Sequence, residues 1–323
     1  KLKVRITPET ANAIKNNAAL VTKCPAENIS FELLEILAND NAKAHIEILD
    51  RLTLLGHIVP ELILTKGVTQ PKEHWDVWEH NLHCLEYSER LTLGHQNSPI
   101  YSMSPWTEDI KDHFNEYLST SHTRRTHLKL ASLLHDIAKP NTKTTETSGK
   151  TRFPEHELIG ATMSTELLKR LKFETASIDY TAALITNHLR PHHMQQGVSV
   201  PTNRAIYRYF NDLKSDGIDV LFLHMADYLA AKGPKLTLSD WATRARIMSH
   251  VIDTHTEQVS EVYKIPKLIN GNDLMTELNI KPGPILGRLI ENINEEHALG
   301  NIVTPTEAIS HARKLFNTIQ GQQ

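Results

Sequence analysis

Apolar residues recur three and four positions apart along nearly the whole chain, and no run alternates long enough to form a half-buried strand. That periodicity sets an all-α fold as the expectation. Thr7 is placed to cap a helix with Pro8 at its first position. Phe31, Leu34 and Leu37 mark a second helix, and Ile46, Leu49 and Leu52 a third. Asp76–Leu91 puts Trp78, Leu82 and Leu85 on one face. His127–Lys139 reads as a helix that stops near Pro140, because the residue before a proline avoids the helical region. Ile159, Met163, Leu167 and Leu171 fall four apart; Ile178, Ala182, Ile185 and Leu189 nearly do, with Pro191 as terminator. Val220–Lys232 is the most apolar stretch and reads as a buried helix. Gly94–Pro105 and Pro140–Pro154 read as loops; the second is flexible and lies between two helices, where it can serve as a lid. Lys232–Ser239 reads as a linker to a C-terminal part in which Thr304-Pro305-Thr306-Glu307 spells a capping box.

At 323 residues the chain is long enough for two or three subdomains around a large core. A formal net charge of −3 gives no bulk attraction to nucleic acid, so any RNA contact needs a local basic face. Two cysteines, Cys24 and Cys84, make no disulfide framework, which leaves a reducing cytoplasm as the default. No membrane partner is expected: Lys1–Pro8 lacks an apolar signal core, and no apolar run is long enough to span a bilayer.

The chemistry-bearing residues are His80, His135-Asp136, His156, His188 and Asp227. With 19 histidines in the chain, one adjacent His-Asp pair arises by chance, so local context has to decide. Asp227 is the hardest to explain as packing. It interrupts Val-Leu-Phe-Leu-His-Met-Ala-Asp-Tyr-Leu-Ala-Ala, and a buried unpaired carboxylate costs several kcal/mol. It therefore needs a metal ion or a basic partner. His224, one turn earlier, reads as packing or as support. His80 and His83 lie beside Trp75 and Trp78 and fit core histidines equally well; His156 at a helix start fits an exposed residue. His188 and Arg190, with His192 and His193, form a dense group of donors suited to phosphate oxygens.

Taken jointly, the order His, His-Asp, His, His, Asp resembles the HD superfamily of metal-dependent phosphohydrolases. The flanks are similar too: Leu-Leu-His135-Asp136-Ile-Ala-Lys139, Phe-Pro-Glu-His156-Glu-Leu-Ile-Gly-Ala, Asn-His188-Leu-Arg190-Pro and Ala-Asp227-Tyr. Within that superfamily the chain resembles HD-bearing members of the bacterial tRNA nucleotidyltransferase and poly(A) polymerase family. Thr7–Leu62 is similar to their neck, Gly67-Val-Thr-Gln-Pro to the entry of their HD domain, and Ile-Asn-Gly271-Asn-Asp273 with Lys281-Pro-Gly283-Pro to their tail. The resemblance implies a helical HD core over 67–240, neck helices over 1–66 and tail helices, a candidate RNA-binding part, over 241–323. It departs in two places. The family's Gly-Gly or Gly-Ser motif and paired Asp-x-Asp are not in the sequence, and Glu27-Asn28-Ile29-Ser30-Phe31-Glu32 has no arginine after the isoleucine. Nucleotide addition by this chain alone is therefore not expected; whether a nucleotidyltransferase head precedes it or is supplied by another polypeptide stays open.

The resulting expectation is a two-ion site. His80, His135, Asp136 and Asp227 hold one divalent ion, and Asp136 bridges to a second held by His156 and His188. Four imidazoles with two carboxylates favour Mn, Fe, Zn, Co or Ni over Mg. Such a pair suits hydrolysis of a phosphate ester, with Asp136 and Lys139 in the catalytic set and Arg190, Arg152 and His192 on the phosphate. Lys143 and Lys150 join Arg152 as candidates to close over it. The expected substrate is a nucleotide or RNA-end phosphate. The alternative is a tRNA-binding body in which the HD site is secondary.

Overall fold

The computed structural model describes residues 5–70, 74–94, 97–194, 200–262 and 268–320. Pro71, which closes the Gly67–Pro71 motif, lies outside them, as do Lys1–Val4 of the N-terminal segment. The all-α expectation holds: the described residues form a succession of helices with two strands of two residues each. It divides into two compact units, residues 1–193 with 215–248, and residues 194–214 with 249–323. No helix among the described residues is long and apolar enough to cross a membrane.

In the first unit, Thr7 caps the Pro8–Asn17 helix, its hydroxyl accepting from Thr10 N at 3.3 Å. The Ala26–Ala38 and Ala42–Arg51 helices bury Leu33, Leu37 and Ile46 in the same core as Leu82, Leu85, Leu130, Leu134, Ile137, Leu168 and Ile185. Neck-like and central helices thus share one apolar interior. A buried ion pair ties them further. Lys129 Nζ donates to the carbonyls of Leu37 (2.8 Å) and Asn39 (3.0 Å) and pairs with Glu89 (2.8 Å). Glu89 also accepts the amides of Asn41 (2.7 Å) and Ala42 (3.0 Å). A carboxylate there satisfies orphan donors at a helix start and neutralises a lysine that could not otherwise stay charged in the core.

The central frame consists of the Val77–Thr92, Arg124–Leu134, His156–Arg170, Thr175–Asn187 and Asp216–Lys232 helices. Four expectations need correction. The helix expected over His127–Lys139 starts at Arg124 and ends at Leu134; residues 135–138 form a turn, and Pro140 sits in the first turn of a new short helix, Lys139–Thr142. Proline is tolerated there because its missing N–H would be unpaired anyway. Pro191 likewise lies inside a short Arg190–His193 helix rather than ending the preceding one, which stops at Asn187. Within Gly94–Pro105 a short helix, Pro99–Ser102, again starts on proline. Pro140–Pro154 is not an unstructured loop: Thr144-Thr145 pairs antiparallel with Thr151-Arg152, and Gly149 (φ +79°) supplies the left-handed residue of the connecting turn.

The second unit has its own small core of Leu274, Leu289, Ile293, Ile302, Ala308 and Ala312. The expected capping box forms: Glu307 N donates to Thr304 Oγ1 at 3.2 Å, and Glu307 Oε2 accepts from Val303 N and Thr304 N. Asn270 and Asp273 make a second box that the sequence reading passed over.

Candidate metal centre

Four of the six metal-type side chains stand at helix ends, and the ends explain their orientation. His135 follows the last residue of the Arg124–Leu134 helix, His188 follows Asn187, and His156 opens the His156–Arg170 helix after Glu155, whose φ is +56°. Asp136 lies in the turn after His135. The Nδ1 of each of these three histidines donates to the carbonyl three residues earlier: Ser132 for His135 (2.8 Å), Phe153 for His156 (2.8 Å), Ile185 for His188 (2.7 Å). The Ser132 and Ile185 carbonyls lie in the last turns of their helices, where carbonyls lack intrahelical donors, and the Phe153 carbonyl lies just before the helix that His156 opens. Because a carbonyl only accepts, the proton is fixed on Nδ1 and the Nε2 lone pair is presented inward, the arrangement that orients imidazole for metal ligation. His80 lies in the first turn of the Val77–Thr92 helix, which Asp76 caps by accepting from Glu79 N at 2.8 Å. Asp227 comes from the Asp216–Lys232 helix.

These side chains converge. His80 Nε2 is 3.2 Å from His135 Nε2, 3.0 Å from Asp227 Oδ1 and 3.4 Å from Asp136 Oδ2. His135 Nε2 is 3.3 Å from Asp136 Oδ2 and 3.7 Å from Asp227 Oδ1. On the other side of the carboxylate, His156 Nε2 is 3.4 Å from Asp136 Oδ1. Two ligand triads result, His80–His135–Asp136 and Asp136–His156–His188, each with its donor atoms within 4.8 Å of one another, and they share Asp136. A sphere of ligands at about 2.1 Å from an ion spaces neighbouring donors roughly 3.0–3.4 Å apart, so the first group has the edge lengths of a coordination polyhedron. The donor set fits one or two divalent transition ions.

The cluster lies in the interior. His80, His135, Asp136 and His188 are all buried, while the Asp227 side chain is 20% exposed and marks the side open to solvent. Burial works against ionisation of Asp136, yet Lys139, with Nζ at 2.6 Å from Oδ2, and then His135 hold its carboxyl well below the usual carboxylate range. Burial likewise opposes the charge on Asp227, and the His135 and His80 rings beside it hold its carboxyl well below the usual carboxylate range. Burial, seconded by His135, pushes His188 down to about 3, so its ring is neutral. Gly160, one turn into the His156–Arg170 helix, packs beside the ligand turn; a Cβ there would meet Ile185 at 3.4 Å and the His135 carbonyl at 3.5 Å, which is ordinary contact.

The remaining expected site residues are placed differently. Lys139 is nearly buried and its Nζ also donates to Gln70, a contact the sequence reading did not foresee although it had singled out the Gly67-Val-Thr-Gln motif. Arg190 and His192 lie on the short helix directly after His188. Arg152 is on the hairpin, 58% exposed, with Nε 2.5 Å from Glu146 Oε1. Lys143 is also exposed and donates to Thr69 Oγ1 at 3.4 Å. His83 belongs elsewhere: it stacks on Trp75 (4.3 Å) and contacts Lys43 Nζ (3.1 Å). His224 is buried one turn before Asp227, and burial pushes it down to about 4. Arg244 was missed because nothing local marks it; it stacks on Tyr228 at 4.7 Å, next to Asp227 in sequence.

Comparison with known proteins agrees with this geometry. Residues 77–232 match the HD domain family. Residues 3–64 match the family described as "Probable RNA and SrmB-binding site of polymerase A", and residues 229–312 match the tRNA nucleotidyltransferase domain 2 family. The A-adding tRNA nucleotidyltransferase of Deinococcus radiodurans is 29% identical over 315 residues, covering 95% of this chain and 63% of that protein. The CC-adding tRNA nucleotidyltransferase of Thermus thermophilus is 25% identical over 285 residues, 87% of this chain and 55% of that protein. A bifunctional uridylyltransferase/uridylyl-removing enzyme of Bradyrhizobium sp. (strain ORS 278) is 21% identical over 206 residues, 62% of this chain and 20% of that enzyme. The chain therefore spans less than two thirds of the length of each of these relatives.

Proposed function

For an HD-domain chain homologous to A-adding and CC-adding tRNA nucleotidyltransferases, we propose metal-dependent hydrolysis of a phosphate ester on a nucleotide or RNA end. The observation that carries this reading is the pair of ligand triads sharing Asp136. His80, His135, Asp136 and Asp227 would hold one ion; Asp136, His156 and His188 a second. When bound, such ions supply Lewis-acid stabilisation of the entering and leaving oxygens of an in-line displacement. The rest falls to the chain. Three backbone carbonyls fix the imidazole rings. Lys139 keeps the shared carboxylate ionised. Arg190 and His192, on the short helix after His188, and Arg152 on the hairpin are the residues assigned in this reading to phosphate oxygens, since charged and ring N–H donors suit them. The substrate is a 2′,3′-cyclic phosphodiester, a nucleoside monophosphate or a dinucleotide.

The test is elemental analysis after dialysis against mixed divalent metals, followed by a phosphoester screen. One to two transition ions per chain with hydrolysis is the expected result; a protein that retains no stoichiometric metal overturns the proposal. A second reading is favoured by a specific observation, the similarity to a tRNA nucleotidyltransferase along 95% of the chain. On that reading the chain is the tRNA-binding body of such an enzyme and its metal centre is subsidiary. Full metal loading with salt-sensitive tRNA binding but no phosphoester turnover is the result that selects it.

A further inference from the structure

A cleft of about 250 Å³ lies away from the metal centre, between the Ala26–Ala38 helix and the start of the Thr175–Asn187 helix. Its walls include Ser30, Phe31, His122, Lys172, Phe173 and Ser177. Phe173 is buried, but Phe31 is 48% exposed and turns a wide aromatic face to solvent. That ring is held edge-on against His122 at 5.7 Å, and His122 in turn contacts Glu35 at 3.2 Å. Lys172 has a left-handed backbone (φ +58°) fixed by its amide on the Lys169 carbonyl (3.1 Å) and by Phe173 N on the Leu168 carbonyl (3.0 Å). Its ammonium enters no ion pair among the described residues. Of the two acids at the rim, Glu174 is occupied by the Thr120 amide, 3.2 Å from both oxygens, which leaves Glu27 to meet a base N–H.

An exposed aromatic face beside an unpaired cation is the pairing that single-stranded nucleic acid uses, since every base has a π-face and every nucleotide a phosphate. The volume is below the usual range for drug-sized ligands and suits one planar ring system. The wall bearing Ser30 and Phe31 lies in the segment that matches an RNA-binding family. We propose that this cleft holds one unstacked nucleotide of a single RNA strand, its base on Phe31 and its phosphate on Lys172. The proposal rests on RNA as the substrate class of the preceding section, but it concerns a separate site. Two helices measure the separation. His127, bonded to Ser177 Oγ at 2.8 Å, precedes the ligand His135 by eight residues, and Ser177 precedes His188 by eleven. At 1.5 Å rise per residue, the cleft lies about 12–16 Å from the ligands.

The experiment measures fluorescence anisotropy of a fluorescein-labelled hexacytidylate with the full chain, with and without EDTA. Binding that persists in EDTA, weakens about tenfold in Phe31→Ala and is retained in Phe31→Trp is the expected result. The Phe31→Trp variant should also show tryptophan quenching, beyond the parent's, on adding the oligonucleotide. Lys172→Ala should weaken binding and flatten its salt dependence. Phe31 is half-exposed, so both substitutions at that position should fold. Equal affinity in the parent and Phe31→Ala, or no binding by the parent, overturns the proposal. Binding that meets these expectations in a protein that takes up no metal would sink the hydrolase reading and leave the cleft assignment standing.

Discussion

Two acidic clusters on the Asp216–Lys232 helix lie two turns apart and are solved in opposite ways. Asp219 is fully buried and its oxygens are taken: Arg124 donates at 2.6 Å, Tyr180 Oη at 2.6 Å, and His113 Nε2 lies at 2.7 Å. Asp227 and Asp136 meet mainly imidazole nitrogens, most of them 3.0–3.4 Å away, with the Lys139 ammonium also at Asp136, 2.6 Å from Oδ2. The Asp219 network neutralises itself with an arginine that is always charged. In the Asp136 group, three histidines have Nδ1 committed to backbone, so in their neutral form they present lone pairs toward carboxylates and require a cation between them. A closed ion pair serves the fold; imidazoles gathered around a shared carboxylate make a candidate metal site.

The sharpest way to break this contrast is Asp136→Ala. Loss of a supporting residue around a metal site costs 10–100-fold, so removal of the shared ligand should cost more than about 100-fold in metal affinity and in any phosphoester turnover, with helical circular dichroism retained. Metal analysis that finds the variant fully loaded would dissolve the distinction. Asp219→Ala should do the reverse. It strands Arg124 in the interior and should cost about 3–5 kcal/mol in urea unfolding while metal content per folded chain stays at the parent value.

A third comparison uses a buried histidine bonded to a backbone carbonyl and a serine hydroxyl. His127 is pushed down to about 4 by burial, with Nδ1 on the Thr123 carbonyl at 2.9 Å. Its folded value lies below the unfolded one, about 6.5, so on acidification the unfolded chain takes the proton first. The stability it contributes is complete above pH 6.5 and is lost as pH falls from 6.5 toward 4, by about 3 kcal/mol. Unfolding at several pH values should therefore give a limb that is shallower in His127→Gln than in the parent; parallel limbs would rule this out. The smallest effect is expected in the second unit. There Glu277 pairs with Arg313 at 3.5 Å, both exposed, and Glu277→Ala should cost no more than about 1 kcal/mol in urea unfolding.

Several features were legible because they are local. Thr7-Pro8 and Thr304–Glu307 carry their capping chemistry within four residues, and the helical period runs through every long element. Asp227 stood out because its neighbours are apolar. Asp219 did not, since an aspartate three residues after Asp216 near a helix start reads as an ordinary favourable charge at the dipole. Its importance comes from Arg124 and Tyr180, 95 and 39 residues away. Helix ends were misjudged for a related reason: Pro140 and Pro191 each allow a new short helix to begin, and whether one does depends on surrounding packing.

The amino-acid sequence by itself determined the all-α class, the caps and the identities of the side chains able to ligate a metal. Periodicity, capping and donor chemistry are properties of adjacent residues. The tertiary structure alone decided that Asp136 faces two triads, that Gln70 meets Lys139 and that Phe31 and Lys172 line one cleft. Those outcomes depend on where separate helix ends come to rest, and that is fixed by the burial of a shared core rather than by local order.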